Sequence, residues 1–244
     1  MYTEKEYQIF RLGELTYKKA YALYQPVYFI WKRYRDRELI KFLKKHVKPG
    51  MTVVDVGANI GFYSVFFSKL VGEKGSVHAF EPNPDNFRHL VSNTRKLKNV
   101  FVSNAAVSDK TGKIKLYQFD SNVEHQTYDN GDGKSFTEID CISLDDYFNK
   151  GEVISLIKTD TEGYDYFVIN GMKETIKKQK NLVLTTEFWP WGLSKAGVEP
   201  KKFILQLKEL GFDVTFTDPK AEQEYEQMVG NRYFITDILA MAKR

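Results

Sequence analysis

The chain has 244 residues, of which 42% are apolar and 15% aromatic, and a formal net charge of +4. That length can bury a full core and suits one large α/β domain, or a domain with an appendage. The near balance of 36 Lys and Arg against 32 Asp and Glu, without a block of like charges, gives no reason to expect nucleic-acid binding. A single cysteine, Cys141, excludes an internal disulfide. No signal-peptide pattern is present, and no apolar stretch approaches the roughly 20 residues that cross a bilayer. A cytoplasmic enzyme is the expectation.

From about residue 17 to residue 47, apolar residues recur at helical spacing among aromatics and bases. Pro26 is expected to break this stretch into two helices, so residues 1–48 read as a helical extension and residues 49–244 as the α/β domain. Next, PGMTVVDVGANIG followed by FYSVFFSKLV predicts strand, tight turn and helix. The unit recurs in VHAF with EPNPDNFRHLVSNTRKL, in VISLIKT with DTEGYDYFVINGMKETIKK, and in NLVLTTEF before a helix starting near Pro200. Strands alternating with helices predict right-handed crossovers and a mostly parallel sheet covered on both faces.

Two segments depart from this rhythm. Between residues 108 and 144, KIKLYQF and FTEIDCI flank a polar stretch containing Asn130-Gly131-Asp132-Gly133, which predicts a hairpin or paired extra strands. Near the C-terminus, FDVTFT and RYFITDILAM are expected to pair antiparallel at one edge, joined by a loop with no helix in it.

The stretch VVDVGANIGF carries the first chemical signal. A dinucleotide-binding turn would read G-x-G-x-x-G and present its N–H groups to a pyrophosphate; here the turn offers Gly57, Asn59 and Gly61 instead. Asp55 closes the strand at the edge where ligands bind, and would repel phosphate but welcome a positive centre. S-adenosylmethionine fits that demand: it carries a sulfonium and an ammonium, has no phosphate, and its carboxylate can use the turn's N–H donors. Glu81 follows the second strand about twenty residues beyond Gly61, where a carboxylate accepts both ribose hydroxyls of an adenosine. At the end of VFVS, Ala105 and Ala106 would let an adenine ring lie against the backbone, with Asn104 in reach of the ring or the sugar.

Taken in order, DVGANIGFYS, AFEPNP, NAAVSDKTG, SLDDY, IKTDTEGYD and TTEFWP resemble the FkbM-type family of S-adenosylmethionine-dependent methyltransferases, over residues 52–216. The resemblance implies a Rossmann-like class I methyltransferase fold: a seven-stranded, mostly parallel sheet with its last strand antiparallel and helices on both faces. It also implies O-methylation of hydroxyls on sugars, polyketides and other secondary metabolites. Asp55, Gly57, Asn59, Gly61 and Glu81 match the family's cofactor positions. Asp160, Glu162 and Gly163 match its D-x-E-G motif, with Thr161 where an aliphatic residue is usual. The first fifty residues lie outside the match.

Methyl transfer from a sulfonium is an in-line displacement in which alignment supplies about 7 to 11 kcal/mol. A hydroxyl acceptor also needs a destination for its proton, and a placed base adds about 10²- to 10⁴-fold. Asp160 and Glu162 stand at the carboxyl end of the fourth strand; either is a candidate base, and Asp160 is also a candidate partner for the sulfonium or ammonium. A divalent metal is the alternative activator, with Asp160 and Glu187 as two oxygen ligands. Phe188 follows Glu187 where a third ligand would strengthen that case, so the expectation is a site without metal. The histidines at positions 46, 78, 89 and 125 lack the paired spacing of a zinc site.

Trp189 and Trp191 either wall the acceptor pocket or pack the next helix. Membrane-surface contact through the N-terminal helices would call for a cleaner division of apolar and basic faces. The expected partner is a small-molecule or glycan hydroxyl acceptor, and the sequence encodes no readable oligomeric state. Two rivals stand beside the methyltransferase. A nicotinamide-dependent oxidoreductase is disfavoured by Asp55 and the missing central glycine. A non-catalytic cofactor-binding module is disfavoured by the joint presence of Asp55, Glu81, Asp160 and Glu162.

Overall fold

The computed structural model describes Tyr17 and residues 20–118, 125–126 and 135–242. Helix α1 (Tyr21–Arg35) runs through Pro26, and the chain bends at Asp36 before α2 (Arg37–His46). The expected break at Pro26 is therefore displaced. Pro26 lies in the second turn and forfeits only one backbone bond near the helix start. Asp36, in contrast, is held by side chains: it accepts a 2.6 Å hydrogen bond from the Tyr63 hydroxyl and pairs with Lys32 at 3.0 Å. Helix α2 buries Leu39, Ile40 and Leu43 in one cluster with Val53, Phe67 and Leu156, so this part of the extension shares the core of the sheet.

The chain continues through β1 (Thr52–Val56), α3 (Phe62–Val71), β2 (Ser76–Phe80), α4 (Pro84–Thr94) and β3 (Val100–Ser103). A small four-stranded sheet follows, built from β4 (Ala106–Val107), β5 (Gly112–Gln118), β6 (His125–Gln126) and β7 (Ser135–Ile142). Antiparallel pairing of β5 with β7, from Gly112 opposite Cys141 to Gln118 opposite Ser135, realises the expected paired strands. The Asn130 to Gly133 turn lies outside the described residues.

Then come α5 (Leu144–Tyr147), β8 (Leu156–Thr159), α6 (Asp165–Asn170), α7 (Lys173–Lys178), β9 (Val183–Phe188), α8 (Pro190–Lys195), α9 (Pro200–Glu209), β10 (Phe212–Phe216), α10 (Pro219–Glu224) and β11 (Thr236–Ala242). The main sheet has seven strands in the order β10-β11-β9-β8-β1-β2-β3. Only β11 runs against its neighbours, pairing antiparallel with both β9 and β10. The connection before it contains a helix where a plain loop was expected. Its signal was local: Asp218 accepts from the Lys220 N–H as an N-cap, and Pro219 takes the first helical position.

Apolar clusters cover the sheet on both faces: Phe188, Phe203 and Leu207 with α9 on one, and Phe67, Val71 and Leu43 with α2 and α3 on the other. Strand order reverses between β8 and β1, and a crevice opens outside the carboxyl ends of the strands at such a point. Among the described residues, no helix is long and apolar enough to cross a membrane.

Candidate active site

The crevice is lined by the turn after β1, by residues following β2, β3 and β8, by the ends of β9 and β11, and by α1. The turn takes its shape from positive φ angles at Gly57 (75°), Asn59 (51°) and Gly61 (91°). At Gly57 a Cβ would sit 1.9 Å from the carbonyl oxygen of Asp160, and a backbone atom cannot step aside. At Gly61 a Cβ would meet the Leu90 Cδ1 at 2.8 Å, which is the end of a side chain that can rotate. Gly57→Ala is therefore expected to destabilise the fold by about 2 to 4 kcal/mol, from strain and overpacking together. Gly61→Ala should cost less, and denaturant unfolding of both variants measures the difference.

The N–H groups of this turn are all engaged inside the protein. Gly57 and Ala58 donate to the Phe80 carbonyl, Gly61 donates to that of Ala58, Ile60 donates to Asn59 Oδ1, and Asn59 donates to Glu81 Oε2 at 2.8 Å. The expectation that they would receive a ligand carboxylate is corrected: the turn spends its donors on its own shape and on Glu81. Glu81 also accepts from the Asn83 N–H at 2.9 Å and lines the crevice. Burial pushes its carboxyl up to about 7, against the lowering effect of those two donors. Asn104 does not line the crevice; its amide donates to the carbonyls of Glu81 at 2.8 Å and Pro82 at 3.2 Å, bracing the segment that carries Glu81. Ala105 and Ala106 form the wall there instead.

Asp55 lies under the floor rather than on the wall. It is fully buried, accepts a 2.6 Å hydrogen bond from Ser64 Oγ, and its Oδ1 has no hydrogen-bond partner among the described residues. The β1–β8 register sets it beside Lys158. That lysine is 2% exposed, lies 4.7 Å from the Tyr63 ring centroid and holds Asp160 Oδ2 at 3.0 Å. Burial opposes ionisation of Asp160, but Lys158, Lys32 and Arg35 hold its pKa down at about 2. A lysine inside the otherwise apolar run of β8 was the sequence signal for this pair, and it was missed.

Past the strand, Glu162 sits at φ 54° and Gly163 packs so tightly that a Cβ would lie 2.5 Å from the Gly192 backbone. Glu162, Asp160 and Glu187 each present one carboxylate oxygen within 4.8 Å of the others. In the sequence Asp160 and Glu187 stand as a pair of oxygen ligands; the structure adds Glu162 as a third carboxylate beside them. Burial, then Glu162 and Asp160, push the Glu187 carboxyl well above its usual range. Asp165 and Asp237, also unremarked in the sequence, are each pushed up to about 6, chiefly by burial.

These shifts set a pH dependence of stability. An acid whose pKa is raised in the folded state is still protonated there after its unfolded counterpart has ionised, so stability falls as pH rises between the two values. For Asp165 and Asp237 that window runs from 3.8 to about 6, and for Glu81 from 4.5 to about 7. Asp160 acts oppositely: its stabilising contribution is present above 3.8 and lost only as pH falls through about 2. The ligand-free protein is expected to melt at a higher temperature near pH 5 than near pH 8. Thermal unfolding at the two pH values checks this, and Glu81→Gln should narrow the gap.

Helix α1 closes one side of the crevice. It turns Lys32 and Arg35 inward to the lining, packs Tyr28 and Phe29 on the core, and leaves Leu23, Val27 and Ile30 exposed. Trp189 and Trp191 do not line the crevice. Trp189 is buried and donates to the Arg232 carbonyl at 2.9 Å, and the Trp191 ring lies tilted against it with centroids 5.1 Å apart, so of the two expectations packing holds.

Comparison with known proteins follows the same lines. Residues 55–214, more than half of the chain, match the model of the methyltransferase FkbM domain. The hexuronic acid methyltransferase AglP of Haloferax volcanii is 27% identical over 230 residues, covering 91% of this chain and 88% of that protein. Among solved structures, a putative rRNA methylase from Clostridium thermocellum is similar with a TM-score of 0.53 at 13% identity, covering 85% of this chain and 96% of that one. Aeropyrum pernix fibrillarin, solved with natively bound S-adenosyl-L-methionine, is similar with a TM-score of 0.50 at 14% identity, covering 87% and 76%. At those identities the two structures speak for the fold.

Proposed function

The chain belongs to the FkbM methyltransferase family, and on that premise we propose that it methylates a hydroxyl of a sugar acid, using S-adenosylmethionine as donor. Membership removes the nicotinamide-dependent alternative. The observation that carries the reading is the placement of Glu81 on one side of β1 and of Asp160 with Glu162 on the other, facing one crevice. The lining is held in shape for the donor: the glycine at position 57 lets the turn after β1 lie directly against the Asp160 backbone, where any Cβ would collide.

Bound there, the donor supplies an electrophilic methyl group on a positively charged sulfur. Glu81, already oriented by two backbone donors, accepts from the ribose hydroxyls. Asp160 stays ionised and contributes a fixed negative charge beside the positive sulfur. Glu162 takes the acceptor's proton, since Asp160, with its pKa near 2, is too weak a base. Lys32 and Arg35 share Asp36 as an ion-pair partner and outnumber it two to one, so this side of the crevice keeps a net positive charge for the carboxylate of the donor or that of a sugar acid. In this reading residues 49–244 are the methyltransferase domain, residues 1–48 are an extension whose α1 closes the site, and the protein works in the cytoplasm, where its donor is made.

The acceptor class rests on AglP, a relative matched over most of both chains, and on that cationic wall. Incubation with methyl-labelled donor and a panel of uronic acids beside their neutral counterparts tests it. Label should enter the sugar acids preferentially and survive mild alkali, as an ether does. Label on none of the sugars would sink the acceptor class, and alkali-labile label would move the acceptor atom from hydroxyl to carboxyl.

A further inference from the structure

The three carboxylates on the acceptor side form a donor set that the proton-transfer role of Glu162 does not exhaust. Asp160, Glu162 and Glu187 come from two adjacent strand ends, and one oxygen of each lies within 4.8 Å of the others. A second observation singles out Glu187. The residue is 8% exposed, it lines the crevice, and its Oε2 is buried without a hydrogen-bond partner among the described residues. Buried polar oxygens are almost always paired, and an unpaired one calls for an explanation such as an absent ion. Two nearby donors are engaged elsewhere: Lys158 holds Asp160, and the Thr186 hydroxyl is shared between Asp165 and the Glu187 carbonyl. Each carboxylate has two oxygens, so the ion pair with Lys158 leaves Asp160 able to serve a second partner.

We propose that Asp160, Glu162 and Glu187 hold one divalent cation of the Mg2+ or Mn2+ class, to which the acceptor hydroxyl coordinates. Oxygen donors select hard cations, and such ions bind through a few carboxylates while keeping positions for substrate oxygens. The proposal rests on the methyltransferase reading and says how that site activates its acceptor. The coordinated hydroxyl loses its proton to a Glu162 oxygen not used by the ion. The alkoxide oxygen forms its bond to the methyl carbon as the sulfur–carbon bond breaks, and the sulfur leaves as a neutral thioether. Charge balances: the ion and Lys158 together offset the three carboxylates, and nothing is oxidised or reduced.

The test uses the full chain stripped with a chelator and titrated with Mn2+, the free ion being followed by its electron paramagnetic resonance signal. S-adenosylhomocysteine binding is measured in parallel by calorimetry. The expected result is uptake of Mn2+ by the wild type, with and without S-adenosylhomocysteine, and loss of that uptake in Glu187→Gln. Methyl transfer by the stripped protein should fall by about 10²-fold or more and return with Mg2+ or Mn2+. Glu162→Gln repeats the binding measurement if Glu187→Gln does not fold. Absence of Mn2+ uptake by the wild type, uptake that survives the substitutions, or full activity in chelator would each overturn the proposal. Retained S-adenosylhomocysteine binding in those cases leaves the methyltransferase reading intact, whereas its absence counts against that reading itself.

Discussion

Glu162→Gln is expected to lower kcat by about 10²- to 10⁴-fold, the range over which a positioned proton acceptor acts. Its affinity for S-adenosylhomocysteine should stay close to that of the wild type. The two outcomes separate because Glu162 follows β8, on the acceptor side, whereas the ribose carboxylate Glu81 follows β2. Glutamine keeps the size of the side chain and meets the same backbone requirement at φ 54°, so the substitution removes the charge and the basicity, and with them the carboxylate that the proposed cation would use. Steady-state kinetics with both substrates, together with calorimetry of the product complex, supply the measurement. An unchanged kcat would remove Glu162 from the chemistry and return the base role to its neighbours.

Glu81→Ala is expected to weaken donor binding by about 10²-fold or more, because two charge-assisted hydrogen bonds contribute roughly 1.5 to 3 kcal/mol each. The alanine also strips the Asn59 and Asn83 N–H groups of their acceptor, so part of the loss would come from a loosened turn. Glu81→Gln keeps an acceptor for one of the two N–H groups, which bond to different carboxylate oxygens, gives up the charge, and should fall between alanine and wild type. Calorimetric titration with S-adenosylhomocysteine reads all three proteins. Equal affinity across the series would take Glu81 out of the donor site.

The sequence made much of this legible for local reasons. In TVVDV and LIKT, short runs rich in β-branched and aliphatic residues feed glycine-containing turns and then helix-spaced apolar residues, so each strand–turn–helix unit announces itself within about twenty residues. The glycine positions carry their backbone demands with them, as do Asp218 and Pro219 at the start of the last short helix. Where reading went astray, a remote contact outweighed a local signal. Pro26 reads as a helix breaker, yet the bend falls at Asp36, where Tyr63 and Lys32 grip the side chain. Asp55 reads as the wall of a crevice, yet Ser64 and the neighbouring strand bury it below the floor. Asn104 reads as a ligand contact, yet the carbonyls of Glu81 and Pro82 claim its amide.

By itself the sequence determined the repeating units, the glycine turn and the identity of the acids that follow β2 and β8 and stand near the end of β9, since backbone preference and apolar periodicity are written in neighbouring residues. Only the tertiary structure decided which acids meet. Thr159 pairs with Thr186 in the parallel register of β8 and β9, so Asp160 and Glu187 emerge side by side, and the left-handed residue at Glu162 turns a third carboxylate toward them. Strand order and register arise from burial summed over the whole sheet, and no local pattern carries that sum.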